Sequence, residues 1–188
     1  MKIILDNGHG GNTPGKRSPV WPDGTQLMEF EFNRNIVKRI KNQIPDAIVL
    51  VPEIIDITLP DRVWRANKIW DANGQKDCIL ISVHGNAGGG TGFEVWTSPG
   101  QTKSDEYATK MFNAMKALLP VGFPMRKDLS DGDVDKEENF YILSKSKCPA
   151  ILTENLFYDT EKDYRFMQSE EGRQLIAQAH INFIKSIL

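Results

Sequence analysis

The stretch IILDNGHGGNTPGKRS, residues 3–18, contains the first predicted strand and the first candidate site of this chain. A short apolar run ends at Asp6 and opens into a glycine-rich loop that contains His9. Two interpretations compete for this loop: a cradle for a nucleotide phosphate, or a loop that presents His9 to a metal ion. The residues that follow the loop, and the rest of the chain, decide between them.

The phosphate-binding interpretation fails on the residues that follow the glycines. The spacing G-x-x-x-x-G-K occurs at 10–16, but the motif also needs Ser or Thr after the lysine and a helix that begins there. Here Arg17 follows the lysine, and Pro19 and Pro22 remove amide donors and prevent a helix. We therefore discard a nucleotide site at this loop.

Composition narrows the class of protein. The chain has 188 residues, 40% of them hydrophobic and 26% charged, which suits one domain. Its net charge of -2 predicts no nucleic-acid partner and no insertion into membranes.

Cys78 and Cys148 lie in apolar runs, which predicts buried free thiols. Three apolar residues before Asp6 are too few for a signal peptide, so we expect a protein that is cytoplasmic when made.

Strand-like and helical stretches alternate along the chain, which predicts a layered α/β fold in one domain over 1–188. The polar loop at 121–138 is predicted to be a mobile rim. The predicted strands are 2–6, 47–52, 78–84, 92–97 and 149–154, and the predicted helices are 29–43, 59–73, 105–119 and one that starts near Ser169.

The chain has three histidines, and two of them follow predicted strands. His9 and His84 each end a strand beside glycines, whereas His180 lies in the middle of the last helix and is assigned to packing or to the surface. The carboxyl ends of neighbouring parallel strands face one crevice, so His9 and His84 can converge there. A histidine at a strand end is also a common structural hydrogen-bonding group, and the residues alone leave both interpretations open.

Carboxylates near these strands are candidates for a third ligand and for an acid–base group. Glu29 or Glu31, at the start of the first predicted helix, is a candidate ligand, although acidic residues also favour helix amino termini for electrostatic reasons. Glu154 ends the apolar strand at 149–154, where a carboxylate is either paired or used in acid–base chemistry.

These stretches together resemble the zinc-dependent N-acetylmuramoyl-L-alanine amidases of the amidase-3 type. The resemblance covers nearly the whole chain, and the chain departs from the family pattern at Asn155-Leu156-Phe157 and in the proline-bearing loop 16–26. The motifs that carry it are DNGHGG at 6–11, Glu29 with Asn33, L-x-x-R-x-x-x-A-N at 59–67, SVHGNA at 82–87, GFEV at 92–95, and PAILTE at 149–154 with Asp163 behind it.

The resemblance implies a fold and a site. The implied fold is a single three-layer α/β domain of the phosphorylase/hydrolase-like kind, with a mixed, mostly parallel central sheet flanked by helices. His9, Glu29 and His84 would bind one zinc ion, which selects Glu29 over Glu31, and Glu154 would be the catalytic glutamate.

Four polar residues of the matching motifs receive secondary roles. Arg62 and Asn67 are interpreted as groups that anchor a helix, because such buried polar pairs usually satisfy backbone atoms. Asn86, in a glycine-rich loop, is a candidate substrate contact, and Asp6 is a candidate for orienting a metal ligand.

The implied reaction is hydrolysis of the amide between N-acetylmuramic acid and L-alanine in peptidoglycan, with a zinc-activated water and Glu154 as general base and acid. Peptidoglycan is the expected partner, and we expect a monomer. The chain resembles a phage or prophage endolysin more than a bacterial cell-separation amidase. It would act at the cell wall after release or export.

Two other functions stay open at this point. A zinc carboxypeptidase would use the same ligand types and would need a basic residue for the substrate carboxylate, for which Arg17 and Arg126 are candidates. A wall-binding domain without catalysis is the other. A serine hydrolase is not indicated, because no G-x-S-x-G motif occurs.

Overall fold

A six-stranded mixed sheet runs through the computed structural model, which describes residues 1–188. In the order β2-β1-β3-β6-β4-β5, the first four strands are parallel, β4 is antiparallel to β6, and β5 is parallel to β4. The predicted mixed, mostly parallel sheet is confirmed. The strands are β1 (Lys2–Asn7), β2 (Ile48–Val49), β3 (Cys78–Asn86), β4 (Phe93–Thr97), β5 (Lys136–Glu137) and β6 (Ala150–Phe157).

Helices cover both faces of this sheet, which gives the three predicted layers. One face packs on α1, α3, α5 and α6 through a core cluster of 30 buried residues, and the other packs on α2 and α4 through a cluster of 12. None of the helices is both long enough and apolar enough to span a membrane. The helices are α1 (Glu29–Gln43), α2 (Leu59–Ala72), α3 (Lys103–Lys116), α4 (Tyr141–Ser144), α5 (Glu161–Gln168) and α6 (Glu170–Ile187).

The side-chain alternation of the central strands places the candidate site. Ile79 and Ile81 of β3 belong to the larger core cluster, whereas Leu80 belongs to the smaller one, as a period of two requires. The same alternation carries His84 to the α2 face at the carboxyl end of β3. In the parallel register His84 lies opposite Glu154 of β6, so both side chains emerge on one face.

Several element boundaries differ from the prediction. Helix α3 begins at Lys103 because Thr102 is its N-cap, in a capping box with Asp105, so a start after Ser104 was wrong. Three short elements, α4, α5 and β5, were not predicted, because they are too brief to show a period. Strand β5 lies in the stretch 121–138 that was expected to be a loop, and it forms by pairing with β4.

His180 is completely buried in α6, and both of its ring nitrogens have partners. Nδ1 lies 2.8 Å from the carbonyl oxygen of Ile176, and Nε2 lies 3.0 Å from the hydroxyl of Thr153. A carbonyl only accepts, so Nδ1 donates to it and the neutral ring accepts the Thr153 hydroxyl at Nε2. His180 is therefore a packing residue, and Cys78 and Cys148 are the buried free thiols that the sequence predicted.

We expect the burial of His180 to make the protein less stable in acid. Burial lowers its pKa from 6.5 to about 4, so the folded state binds fewer protons than the unfolded state between these pH values. The contribution of neutral His180 to the free energy of unfolding is fully present above pH 6.5. It is lost as the pH falls toward 4, and the loss is about 3 kcal/mol. Urea unfolding of the wild type and of His180→Gln at pH 7 and pH 4 measures it.

The difference between the two proteins isolates the histidine from the other groups that titrate in acid. His180→Gln should be less stable at pH 7, because the hydrogen bond to Thr153 is disturbed, and should lose less stability on acidification. Parallel pH dependences for the two proteins would contradict the prediction.

Candidate metal centre and catalytic glutamate

Three side chains from separate parts of the chain converge at the carboxyl end of the sheet. Glu29 Oε1 lies 2.9 Å from His84 Nδ1 and 3.3 Å from His9 Nε2. The two imidazole rings meet edge to face, with centroids 4.8 Å apart. His9 follows β1, Glu29 opens α1 and His84 lies near the end of β3, so the tertiary fold brings the three predicted ligands together.

The glycines around His9 allow this approach. A Cβ atom on Gly8 would lie 2.1 Å from the ring of His84, and one on Gly10 would lie 2.0 Å from the backbone nitrogen of Asp56. No larger residue fits at either position. His9 itself has a φ of 62°, a left-handed conformation that is uncommon outside glycine. The G-H-G sequence is therefore required by close packing around the histidine.

The strained conformation of His9 is held by arginines that bind its carbonyl oxygen. Arg34 Nη1 donates to this oxygen at 3.0 Å and Arg62 Nη2 at 3.2 Å. Arg62 also forms a buried ion pair of 2.6 Å with Asp6, whose second oxygen accepts from Ser82 at 2.6 Å. Asp6 therefore helps to position His9 indirectly, because it binds the arginine that donates to the His9 carbonyl oxygen.

Two asparagines of the sequence motifs have partners within the protein. Asn67 donates to the carbonyl of Lys145 at 3.1 Å and accepts the backbone N–H of Lys147 at 2.8 Å, so it ties α2 to the turn before β6. Asn86 donates to Glu94 at 2.9 Å. The structure thus places Asn86 beside a buried carboxylate, and a contact between Asn86 and substrate stays a prediction.

Glu29 is buried and its two oxygens have unequal surroundings. Oε1 faces both imidazoles, the amide of Asn33 at 3.4 Å and the N–H of Gly85 at 3.4 Å. Oε2 is buried without any hydrogen-bond partner. Burial raises the pKa of Glu29, but hydrogen bonds from the two histidines hold it well below its usual range. Glu31, the other glutamate considered, is exposed.

Glu154 lies across from His84 with an unpartnered oxygen of its own. Its Oε2 atom is shielded from solvent and makes no hydrogen bond. Burial raises its pKa to about 8, and the negative charge of Glu29 adds to the effect, whereas His84 opposes it. A glutamate with this pKa is suited to exchanging protons near neutral pH.

A β-bulge just after Glu154 shapes this corner of the site. The register between β3 and β6 shifts after the pair His84–Glu154, and Leu156 takes a φ of 71°. Asn155, which is fully buried, donates to the carbonyl oxygen of His84 at 2.9 Å. The bulge and this hydrogen bond set the relative position of His84 and Glu154. No local sequence pattern predicts this role of Asn155, because the hydrogen bond joins residues 71 positions apart.

The three converging side chains fit a metal ion. Their ligand atoms all lie within 4.8 Å of one another, and two imidazoles with one carboxylate are a donor set typical of hydrolytic zinc. The buried, unpartnered Oε2 of Glu29 is an acceptor that a cation would satisfy. A cleft of about 220 Å³ opens beside His9 and His84, with Ile57, Leu59 and Ile142 in its wall.

A mixed α/β sheet that gathers two imidazoles, a buried carboxylate and a second glutamate with a raised pKa at the ends of its strands is typical of a hydrolase domain. The one matching family model agrees with this class. The chain belongs to the Amidase_3 family, N-acetylmuramoyl-L-alanine amidase, whose model matches residues 3–186.

Known relatives and solved structures support the same family. A sporulation-specific N-acetylmuramoyl-L-alanine amidase of Bacillus subtilis (strain 168) is 30% identical over 186 residues, 97% of this chain and 66% of that protein. An endolysin of Bacillus phage SPP1 is 27% identical over 194 residues, 99% of this chain and 65% of that protein. The crystal structure of an N-acetylmuramoyl-L-alanine amidase from Clostridium difficile 630 has a TM-score of 0.80 at 27% identity, covering 98% of this chain and 95% of that chain.

The chain therefore spans slightly less than two thirds of the length of these two relatives, 66% and 65%. It covers nearly all of the solved amidase chain.

Proposed function

We propose that this protein hydrolyses the amide bond between N-acetylmuramic acid and L-alanine in peptidoglycan, with one zinc ion held by His9, Glu29 and His84. The observation that carries the proposal is the convergence of these three side chains beside Glu154. Family membership and the names of the relatives support the substrate. We further propose that residues 1–188 act as the catalytic domain, as a monomer, at the cell wall.

Glu154 supplies the acid–base chemistry in this proposal. When bound, zinc supplies a Lewis acid that lowers the pKa of a water molecule and polarises the scissile carbonyl. Glu154 takes the proton from the attacking water and delivers it to the departing amine of L-alanine. Its side chain is suited to both transfers because it faces the ligand cluster from the neighbouring strand and has an oxygen free of other hydrogen bonds.

The surrounding residues hold the reacting groups in place. Arg34 and Arg62 hold the His9 loop, and Asn155 holds the carbonyl of His84 next to Glu154. A displacement of about 1 Å in such a site costs a large part of the rate, so these anchors matter to catalysis without touching substrate. The cleft beside the two histidines is where substrate approaches the ligand cluster.

The proposal is tested by the metal content of the purified protein together with the bonds it cleaves. Elemental analysis should find one zinc per chain, and incubation with purified peptidoglycan should release new amino termini identified as alanine. A chelator should stop the release, and added zinc should restore it. Release of carboxyl-terminal amino acids from peptides would indicate a carboxypeptidase instead. Protein without bound or rebindable zinc that releases nothing would contradict the proposal and favour a non-catalytic wall-binding domain.

A further inference from the structure

A second buried carboxylate lies one strand away from Glu154. Glu94 of β4 is 2% exposed and pairs directly with Glu154 in the antiparallel register. Directly opposed residues project to the same face, with Cβ atoms about 5 Å apart. Glu94 therefore shares the face of the sheet on which His84 and Glu154 emerge.

Four donors surround Glu94, and they come from β3, β4, the loop before β5, and β5. Asn86 Nδ2 and Trp96 Nε1 donate to Oε2 at 2.9 and 3.2 Å. Arg126 Nε and Lys136 Nζ donate to Oε1 at 2.6 and 2.8 Å. We call Glu94, Arg126 and Lys136 the Glu94 cluster. Within this cluster, the buried carboxylate of Glu94 has hydrogen-bond donors on both oxygens and holds the two cationic side chains in position.

Within the Glu94 cluster itself, two cations share one carboxylate, so the three side chains together carry a net charge of +1. Glu94 is the only acidic partner of either Arg126 or Lys136, so two cations face one carboxylate. The hydrogen bonds from Lys136 and Arg126 keep the pKa of Glu94 lowered although burial alone would raise it. The pair therefore offers positive charge to a further anionic group.

Part of the Arg126 guanidinium is free of hydrogen bonds, and the group lies next to the strand that carries Glu154. Only Nε is engaged, and neither Nη atom has a hydrogen-bond partner. The side chain is 39% exposed, and its Cζ atom lies 5.2 Å from the ring centroid of Phe157 of β6. Arg126 enters from the far edge of β4 and so reaches across that strand to β6. Two free N–H groups in a planar fork match the two oxygens of a carboxylate.

The chemistry of the proposed substrate indicates which anionic group the Arg126 guanidinium would bind. The carboxyl group of the muramic acid is consumed in the scissile amide, so the carboxylates near the cleaved bond belong to the peptide. Adjacent strands lie about 4.8 Å apart, and an extended residue spans about 3.3–3.6 Å. With the scissile amide at Glu154, we place the carboxylate of the residue after L-alanine beside Arg126, whose Cζ atom lies 5.2 Å from the ring centroid of Phe157 on the same strand as Glu154.

We propose that Arg126, with Lys136 beside it, binds a carboxylate of the stem peptide on the residue that follows L-alanine, and that Glu94 orients the two cations. This inference rests on the proposed function and adds to it the substrate's charge and orientation. The β4 side of the site receives the peptide. Amidation of that carboxylate weakens binding, since an amide carries no charge.

The test compares two small substrates that differ in this one group: the γ-methylamide of N-acetylmuramoyl-L-alanyl-D-glutamate, whose only free carboxylate is the α one, and the α-amide of that same compound. The wild type should hydrolyse the acid with a kcat/KM about tenfold higher than the amide, through KM, as the loss of one charged hydrogen-bonded contact predicts. Arg126→Gln should lose about tenfold on the acid and stay within about twofold on the amide. Arg126→Lys should recover part of the preference. Lys127→Gln is the control, because it removes the same charge at an exposed neighbour that forms no ion pair. This variant should keep the full preference for the acid over the amide.

A binding measurement separates this inference from the proposed function. Titration calorimetry of both compounds into the zinc-loaded Glu154→Gln protein should show tighter binding of the acid, and the Arg126→Gln change should abolish the difference. Equal binding and equal losses on both substrates would assign Arg126 to stabilising Glu94 alone and overturn the inference. If no alanine amino termini are released from peptidoglycan or from either compound, the proposed function itself fails.

Discussion

Replacing Glu154 with glutamine is expected to lower kcat by about 10²–10⁴-fold while zinc content and fold stay unchanged. Glutamine keeps the shape of the side chain but can neither accept the proton of the attacking water nor return it to the amine. The change removes a carboxylate whose buried Oε2 has no partner and whose pKa burial raises to about 8. The variant should therefore be at least as stable as the wild type.

Three measurements on purified protein decide this prediction: the rate of alanine amino-terminus release, zinc per chain, and the thermal midpoint. Glu171→Gln is the matched control, since it makes the same chemical change at an exposed position of α6 and should leave all three unchanged. A Glu154→Gln protein with near-normal turnover would remove Glu154 from the mechanism. Loss of zinc from this variant would move Glu154 from acid–base chemistry to metal binding.

Replacing His84 with alanine is expected to abolish stoichiometric zinc binding and the stabilisation that zinc provides. If the wild type binds one zinc as proposed, free zinc at 1,000 times its dissociation constant should stabilise the folded protein by about 4.1 kcal/mol. In a chain of 188 residues this corresponds to a rise in Tm of about 8–16 °C. Without His84, two ligands remain and the rise should nearly vanish.

The comparison is made by thermal unfolding of metal-free protein with and without added zinc. Glu31→Ala is the control, because Glu31 lies on the first turn of α1 only two residues from Glu29 but is exposed. That variant should keep the full rise in Tm. Glu29→Gln provides a second test with little change in volume and should behave as His84→Ala does. A full zinc-dependent rise in both ligand variants would contradict the assigned site.

The central strands and the long helices were predictable because each carries its own signal. The apolar runs of β1, β3 and β6 alternate between two core clusters, and α1 begins and ends at the predicted residues, Glu29–Gln43. The elements that were not predicted are too short to show a periodic pattern of apolar residues. Strand β5 has two residues and exists only because β4 offers a free edge, and α4 has four residues.

The candidate ligands and the candidate catalytic glutamate were predictable from the sequence, but the residues that hold them in place were not. His9, Glu29, His84 and Glu154 lie in motifs with a recognisable order along the chain, and the structure brings them to one place. The contacts made by Arg34 and Asn155 were not predictable, because each joins residues that are distant in sequence. Arg34 reaches the carbonyl of His9, 25 residues earlier, and Asn155 that of His84, 71 residues earlier.

The sequence by itself determined the alternation of strands and helices, the glycines that flank His9 and the kind of groups available for chemistry. These are local properties, set by side-chain period, by backbone freedom and by donor type. Only the tertiary structure decided that one oxygen of Glu29 meets both histidines, that Oε2 of Glu154 stays unpartnered and that Glu94 holds two cations beside it. Strand register and helix docking set these distances, and both arise from packing between residues far apart in the chain.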